Sequence, residues 1–344
     1  MNSSFHSDND SLPDSWSSGG NIAACVILGV CFLVGTPGNL LVVWTILKHV
    51  KQRSHTVLLI LHLAAADLLV LVTLPLWIYS LARSWVFGEA ACKAMVYIIN
   101  ACMYSSIFII TVMSVERFLA IRYPLKMLYW QNRMSMSIIL AVTWILSFIL
   151  GIPIILTQYI DEDDDGVKHC FYREYDSMSI EVFCMCLETL LGFVIPFLTL
   201  AICYCQVAVQ LRKVRFRTKK TAFLICGVVV AFIVCWLPHH MLNVVGMVVL
   251  LVGGSDEWSH IPNSVFISGA LAFISSSVNP VLYAFASKNL HGSLKKSGIV
   301  KLFQDLTTQT QQGFLQDSGL QDGKILEEPN GGEQEGSHRS LSNC

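Results

Sequence analysis

Charged side chains are scarce in this 344-residue chain. Asp, Glu, Lys and Arg together make up 14% of it, whereas apolar residues make up 54%. A typical soluble domain has about 25% charged residues, so the composition argues against an ordinary water-soluble protein. It favours a chain that places most of its residues in hydrocarbon.

Seven apolar stretches are long enough to cross a bilayer, which takes about 20 helical residues. Five of them contain no Asp, Glu, Lys or Arg, and the other two contain one acid each, Asp67 and Glu188. The sequence therefore predicts an all-α membrane protein with a seven-transmembrane helix bundle over 21–287. The predicted spans one to seven cover 21–47, 55–82, 94–115, 134–160, 182–211, 221–252 and 258–287.

Basic residues are nearly missing from one side of the predicted membrane. On one side, the segments 48–54, 122–133, 212–220 and 288–303 hold sixteen Lys and Arg residues, and the other side holds only Arg83, Lys93, Lys168 and Arg173. Basic residues near spans are retained in the cytoplasm. We therefore expect a multi-pass protein of the cell membrane with an extracellular N-terminus and a cytoplasmic C-terminus.

The first 20 residues lack the apolar core of a cleavable signal peptide, so span one is expected to direct insertion. Residues 1–20 are predicted to form an extracellular tail, in which Asn2 and Asn9 begin N-glycosylation sequons. At the other end, 304–344 is rich in Gln, Gly, Ser, Thr and acids. This segment is predicted to be a disordered cytoplasmic tail.

Few cysteines face an oxidising compartment. Nine of the twelve lie within predicted spans, and Cys344 ends the chain. The remaining two are Cys92, at the outer end of span three, and Cys170, in the loop after span four. Because disulfides persist on the extracellular side, a bridge between these two is predicted, which would hold the loop across the mouth of the bundle.

Asp67 has no Lys or Arg in any predicted span to neutralise it. In hydrocarbon, either its carboxyl group is protonated or a small cation lies beside it. Oxygen ligands suit a hard cation such as sodium, and the alternative is a hydrogen-bonded network with water. No obligatory cofactor is expected. The oxygen-bearing side chains at similar depth are Asn39, Ser106, Ser275 and Asn279.

Proline, which removes a backbone hydrogen bond and kinks a helix, occurs in six of the seven spans. Pro238 follows Trp236, and Pro280 lies between Asn279 and Tyr283, so spans six and seven are expected to change shape at these kinks. At the inner end of span three, Glu116 and Arg117 are adjacent and do not face each other squarely. Arg117 is therefore expected to contact another helix or a partner. The prolines are Pro37, Pro75, Pro153, Pro196, Pro238 and Pro280.

These motifs occur together and in one order. The set comprises Gly38-Asn39, Leu63-Ala64-Ala65-Ala66-Asp67, Cys92, Glu116-Arg117-Phe118, Trp144, Pro196, Tyr204, Cys235-Trp236-Leu237-Pro238 and Asn279-Pro280-Val281-Leu282-Tyr283. Over about 21–303 it resembles the rhodopsin-like G-protein-coupled receptors. The resemblance implies a receptor and not an enzyme, with a heterotrimeric G protein as its partner. Phe118 stands where that family usually has tyrosine.

A second set of residues is similar to the leukotriene B4 receptors of the chemoattractant branch. It comprises Pro37-Gly38-Asn39, 42–48, Met103-Tyr104, Glu188, Asn243 and 272–283. The resemblance implies a lipid mediator as ligand, an oxidised fatty acid, with coupling to inhibitory G proteins and leukocyte chemotaxis. Tyr104, Glu188 and Asn243 match polar pocket positions of that family. At three positions where its members can carry basic residues, this chain has Val96, Gln158 and Val265.

The charge of the extracellular segments favours a different ligand. They hold fourteen acids against four bases, and such a surface attracts cations. The alternative is therefore a receptor for a basic chemoattractant peptide or a chemokine. Chemokine receptors usually have a second extracellular disulfide, for which the N-terminal segment and third outer loop offer no cysteine.

Other classes of membrane protein lack support. Span seven has no lysine that could form a Schiff base with retinal. The sequence shows no internal repeat of the kind expected for a transporter. It also contains no catalytic cluster and no feature that indicates a nucleic-acid partner. His239 and His240 are expected to lie at the outer pocket. The predicted ligand-binding residues are Tyr104, Glu188, Trp236, His239, His240 and Asn243.

The signalling parts are predicted on the inner side. Residues 288–303 combine apolar residues with four lysines and are predicted to form an amphipathic helix on membrane lipids. Tail Ser and Thr residues are expected to be phosphorylated by receptor kinases and to recruit arrestin. Arg117 is expected to be held at rest by Glu116 and the inner end of span six, which has no acid for an ionic lock. On activation it is expected to turn toward Tyr204 and Tyr283. The predicted switch residues are Ile107, Glu116, Arg117, Pro196, Tyr204, Phe232, Trp236, Pro238, Pro280 and Tyr283.

Overall fold

The structure is a computed structural model that describes the backbone over 13–50, 54–123, 133–163, 166–211, 216–252, 262–291, 300–301 and 303–304. Within these ranges, the side chains of 13–20, 121, 133–134, 171–172, 207–225, 228, 262–268 and 285–291 are not described. Asn2, Asn9, most of the 288–303 segment and the tail lie outside the described residues, so the predictions made for them stay predictions.

The chain forms the seven-helix bundle that the hydropathy predicts. Within the described residues, six helices are long and apolar enough to cross a membrane, and the seventh contributes the apolar stretch Gly269–Ala284. The helices are Pro13–His49 (span one), His55–Leu71 and Leu74–Ala82 (span two), Glu89–Arg122 (span three), Arg133–Thr157 (span four), Met178–Thr189, the π-helical turn Leu190–Val194 and Ile195–Leu211 (span five), Phe216–Val252 (span six) and Pro262–His291 (span seven).

Span three lies at the centre of the bundle. It contacts spans two, four, five and six, while span one packs against spans two and seven. The outward faces carry large exposed apolar side chains such as Leu33, Leu156 and Val234. In hydrocarbon these faces need no polar cover, so the helices bury their polar side chains toward one another.

Two of the six span prolines interrupt their helices. Span two breaks between Leu71 and Leu74, just before Pro75, and the Thr73 hydroxyl donates a 2.7 Å hydrogen bond to the Val70 carbonyl there. Span five widens into the π-helical turn before Pro196. Proline has no N–H to donate in the regular α-helical pattern, so a different local hydrogen-bond pattern forms at each break. Pro37, Pro153, Pro238 and Pro280 lie within continuous helices.

The segment after span four forms a β-hairpin over the end of the bundle that we expect to be extracellular. Strand β1 (Gln158–Glu162) pairs antiparallel with β2 (Lys168–Arg173), so span four ends at Thr157 and not at residue 160 as expected. The predicted disulfide is confirmed: Cys92 and Cys170 are bonded, with their Cα atoms 5.8 Å apart. The bridge fixes β2 to the outer end of span three.

Two glycines of span one pack tightly against the neighbouring spans two and seven. A Cβ atom on Gly35 would lie 2.7 Å from Leu71 Cδ1 and 2.8 Å from Ser277 Cβ, and one on Gly38 would lie 2.7 Å from Pro280 Cβ. Small residues allow this close packing, which helix association in membranes relies on. We call this set, Gly35, Gly38, Leu71, Ser277 and Pro280, the glycine contact.

Replacing Gly35 with alanine should destabilise the bundle. Overpacking a tight contact costs about 1–3 kcal/mol, and Gly29→Ala is a matched control because a Cβ atom there meets nothing within 4 Å. Both variants gain the same helix propensity, so the difference between them reports the clash. In detergent, the melting temperature of Gly35→Ala should fall below that of Gly29→Ala. Equal melting temperatures would contradict the tight contact.

Candidate functional site

The hairpin is held in place by more than its disulfide. The backbone N–H of Trp85 donates to the Lys168 carbonyl at 2.8 Å, and the Lys168 N–H donates to Ser84 Oγ at 2.9 Å. Gln158 is buried, and its side-chain amide donates to the Cys170 carbonyl at 3.1 Å. The first two bonds tie β2 to the segment after span two, and the third joins β1 to β2.

Glu188 in span five is the centre of a charged cluster beneath this hairpin. His239 Nε2 donates to Glu188 Oε1 at 2.9 Å, and Arg173 Nη1 approaches Glu188 Oε2 at 3.4 Å. Burial by itself lowers the pKa of Arg173, but Glu188, Tyr175 and Tyr104 together more than offset this effect, so the net pKa is raised. The cluster therefore combines a permanent cation, an acid and a histidine at the extracellular end of the bundle.

Arg173 was missed as a candidate site residue, since the sequence marked it only as one of four outer bases. The available signal was its position three residues after Cys170, which the disulfide places over the bundle. Arg173 lies on β2 and Glu188 lies on span five, and hydropathy gives no information about contacts between two such elements. Sequence reasoning therefore could not assign the contact.

The predicted histidine and tyrosine ligands lie below this cluster. His240 is 2% exposed and packs its ring against Phe193, with centroids 5.0 Å apart, and against Trp236 at 6.0 Å. The rings of Tyr104 and His240 both reach Gly192 in the π-helical turn, where an added Cβ atom would lie 3.4 Å from each. The turn thus brings spans three, five and six together around one small region.

Two polar groups of this region have unused hydrogen-bonding capacity. Neither ring nitrogen of His240 has a partner among the described residues, and the same holds for Nδ2 of Asn243. Asn243 lies one helical turn beyond His239, on the same face of span six. Buried polar groups without partners cost about 1–3 kcal/mol each. A ligand bearing hydrogen-bonding groups would satisfy them.

Asp67 lies near the middle of span two, inside the bundle, and is 1% exposed. Asn279 Nδ2 donates to its Oδ2 at 2.8 Å, and the Ser106 hydroxyl donates to its Oδ1 at 3.4 Å. A cavity of about 10 Å³ adjoins the carboxylate, which is room for about one water molecule. The cavity is lined by Asp67, Ser106, Ile107, Ile110, Phe232, Trp236, Ser275 and Asn279.

Asn39 does not line this cavity, although it was grouped with Asp67. Its Nδ2 donates to the Ser276 carbonyl at 2.9 Å and to the Gly35 carbonyl at 3.1 Å. These bonds connect span one to span seven beside the glycine contact. Asn39 therefore lies outside the cavity and joins two helices.

Arg117 is held by a residue that sequence reasoning did not identify. Arg117 Nη2 donates to the Thr56 hydroxyl in span two, and that hydroxyl donates to Glu116 Oε2 at 2.9 Å. Thr56 is fully buried and Glu116 is 6% exposed. The hydroxyl thus links two adjacent side chains that do not face each other. The side chains at the inner end of span six are outside the described ranges, so the expected contact there stays a prediction.

The other predicted switch residues fall into three places. Ile107 and Phe232 line the Asp67 cavity, and Pro196 is buried one residue after the start of the helix that follows the π-helical turn. Tyr204 is half-buried on span five. Tyr283 is buried and packs against Phe303, with ring centroids 6.1 Å apart. Phe303 is fully buried, which connects the segment after span seven to the bundle.

Comparison with known proteins agrees with this architecture. Residues 38–283 match the family described as 7 transmembrane receptor (rhodopsin family). The chain belongs to this family, so it is a multi-pass membrane receptor that acts through G proteins, and it is not an enzyme.

Among individual proteins, the chain is similar to leukotriene B4 receptor 1 of several mammals. It is 35% identical to that of Homo sapiens over 290 residues, which cover 83% of this chain and 82% of the relative. For Rattus norvegicus the identity is 36% over 284 residues, covering 81% and 80%. For Bos taurus it is 33% over 312 residues, covering 88% and 89%.

Replacing Thr56 with valine should raise agonist-independent activity. The change removes the hydroxyl that holds Arg117, and losing about 1 kcal/mol from the resting state raises the active population about fivefold. Nucleotide exchange by a G protein in membranes, measured without agonist, reports this population. Thr143→Val is the matched control, because the Thr143 hydroxyl donates only within its own helix, to the Ile139 carbonyl at 2.8 Å. Basal exchange that is equal in the two variants would contradict the assigned role.

Proposed function

We propose that this receptor binds a lipid chemoattractant, leukotriene B4 or a related oxidised fatty acid, couples to inhibitory heterotrimeric G proteins and promotes leukocyte chemotaxis. The observation that carries the proposal is the set of polar groups with unused hydrogen-bonding capacity, His240 and Asn243, beside Tyr104 and Glu188 in an aromatic and apolar surround. A pocket of this kind suits an apolar chain with a few hydroxyl groups. The similarity to leukotriene B4 receptor 1 supports the same ligand class.

The contacts that Glu188 already makes favour a lipid ligand over a basic peptide. A cationic ligand would need a free carboxylate, but Glu188 already faces Arg173 and His239 on its two oxygens. Bringing another cation to this site would place it next to Arg173. A hydroxyl group, by contrast, can donate to Glu188 without a charge penalty.

Removing the polar side-chain groups of Tyr104 and Glu188 should weaken leukotriene B4 binding. Tyr104→Phe and Glu188→Gln each remove hydrogen-bonding capacity, so each should raise the Kd about tenfold. The matched controls are Tyr97→Phe and Glu174→Gln. The Tyr97 hydroxyl donates to the Phe148 carbonyl away from the pocket, and Glu174 is exposed. Radioligand saturation binding measures all four variants.

Unchanged affinity in both pocket variants would remove this assignment of the site. Displacement of the lipid by a basic peptide, with activation of the receptor by that peptide, would favour the chemokine or peptide receptor instead.

Signalling is proposed to start at Trp236, which is buried between His240 and Phe232. A ligand that contacts this ring differently in two bundle arrangements shifts their populations by that difference in affinity. Span six would then bend at Pro238 and release Arg117 from Thr56. Arg117 would turn toward Tyr204 and Tyr283, which opens the inner side for the G protein.

We further propose that the orientation is N-terminus outside and C-terminus inside, and that receptor kinases and arrestin act on the tail. The burial of Phe303 against Tyr283, with Lys301 exposed, is consistent with an amphipathic helix beneath span seven. Such a helix keeps the tail close to the inner membrane surface.

The Asp67 cavity is proposed to hold a sodium ion as an allosteric ligand. The residues fit this ion, because the carboxylate is buried, its described hydrogen-bond partners are neutral, and Asp67, Ser106 and Ser275 in the cavity lining offer oxygen ligands. Asp67, Ser106 and Ser275 would hold the ion, which supplies the positive charge that the bundle interior lacks.

Sodium should lower agonist affinity in the wild-type receptor, and Asp67→Asn should abolish this effect. The substitution keeps the size of the side chain but removes its charge, so no cation is retained. Agonist binding is measured with sodium and with potassium at equal ionic strength. A sodium effect that persists in Asp67→Asn would contradict the assignment of this site.

A further inference from the structure

A fatty-acid ligand carries a carboxylate, and the pocket has to supply a cation for it. The three positions at which related receptors can carry basic residues are Val96, Gln158 and Val265 here. None of these is basic, and the Gln158 amide is engaged with the Cys170 carbonyl. The cation must therefore come from another part of the structure.

The other outer bases lie away from the pocket or are paired elsewhere. Lys93 pairs with Glu89 at 2.7 Å, and Lys168 lies 3.8 Å from Glu162 at the tip of the hairpin. Arg83 is exposed at the outer end of span two. Within the described residues, Arg173 is the permanently charged base that reaches the polar cluster of the bundle.

Arg173 is held in a way that leaves most of its hydrogen-bonding capacity for a ligand. Its 3.4 Å separation from Glu188 is longer than the 2.7–2.9 Å typical of a charge-assisted hydrogen bond. The guanidinium has five N–H donors. The Glu188 contact uses Nη1, and a second hydrogen bond joins the guanidinium to the Tyr175 side chain, which leaves the other donors for a ligand. The other oxygen of Glu188 binds His239 at 2.9 Å, so Glu188 keeps a partner when Arg173 turns to a ligand.

We propose that Arg173 binds the carboxylate of the ligand at the extracellular mouth, in place of the basic residues missing at Val96, Gln158 and Val265. The inference rests on the proposed function and names a specificity-determining residue within it. The disulfide and the hydrogen bonds of β2 hold the backbone of Arg173 over the opening. The chain of the lipid would extend inward from this point, with its hydroxyl groups near Glu188 and Asn243.

The test compares leukotriene B4 with its methyl ester, which keeps the chain and hydroxyl groups but has no charge. A charge-assisted hydrogen bond to the acid should make the wild-type receptor bind it about 10- to 100-fold more tightly than the ester. Arg173→Gln should lower the affinity for the acid to that for the ester and leave the ester unchanged. Arg83→Gln, the matched control, should keep the wild-type ratio.

The ratio separates a ligand contact from a structural role. If Arg173→Gln weakens the acid and the ester equally, Arg173 only positions Glu188 and the inference is wrong. It is also wrong if Arg173→Gln keeps the wild-type ratio. Arg173→Lys, which preserves the charge and the fold, should give a ratio between the two extremes, so the test stands even if the glutamine variant fails to reach the cell surface. A wild-type receptor that binds neither compound would overturn the proposed function together with this inference.

Discussion

The absence of water from the bilayer core is the constraint on which this structure depends. Backbone and side-chain polar groups within it have to find partners inside the bundle. The broken helix of span two, the π-helical turn of span five and the links made by Asn39 and Thr56 each satisfy groups that would otherwise be unpaired. Among the described residues, several buried polar groups still lack a partner, and those of His240 and Asn243 are the ones that belong to the proposed pocket.

The same constraint explains how much could be predicted from the sequence. Hydropathy predicts the seven helices because each must be apolar along its whole length, and the Cys92–Cys170 bridge follows from which cysteines lie on the extracellular side. The helix ends were less accurate. The helix of span one begins at Pro13, within the segment assigned to the tail, and span four gives way to β1 at Gln158. At the start of span one and the end of span four, the chain leaves the hydrocarbon region, where hydropathy no longer indicates which residues are helical.

Long-range contacts between polar residues were the part that the sequence could not provide. Glu188 is one of two acids in the predicted spans, and its contact with Arg173 depends on a hairpin whose position is set by a disulfide and several backbone hydrogen bonds. Thr56 is one of many threonines in the chain and gains its role only because span two passes beside Arg117. Asn39 is the opposite example: it lies at the depth expected for the Asp67 site, but its side chain contacts span seven and does not line the cavity.

The glycine contact gives the bundle an uneven stiffness. Where Gly35 and Gly38 meet span seven, almost no side chain separates the backbones, so neither helix can slide without parting from the other. Between spans five and six, by contrast, contacts are made by side chains, such as the ring of Phe193 with that of His240 and Glu188 with His239. We therefore expect spans one and seven to stay together as one unit, while spans five and six can change their relative position by rearranging side chains, whatever ligand occupies the pocket.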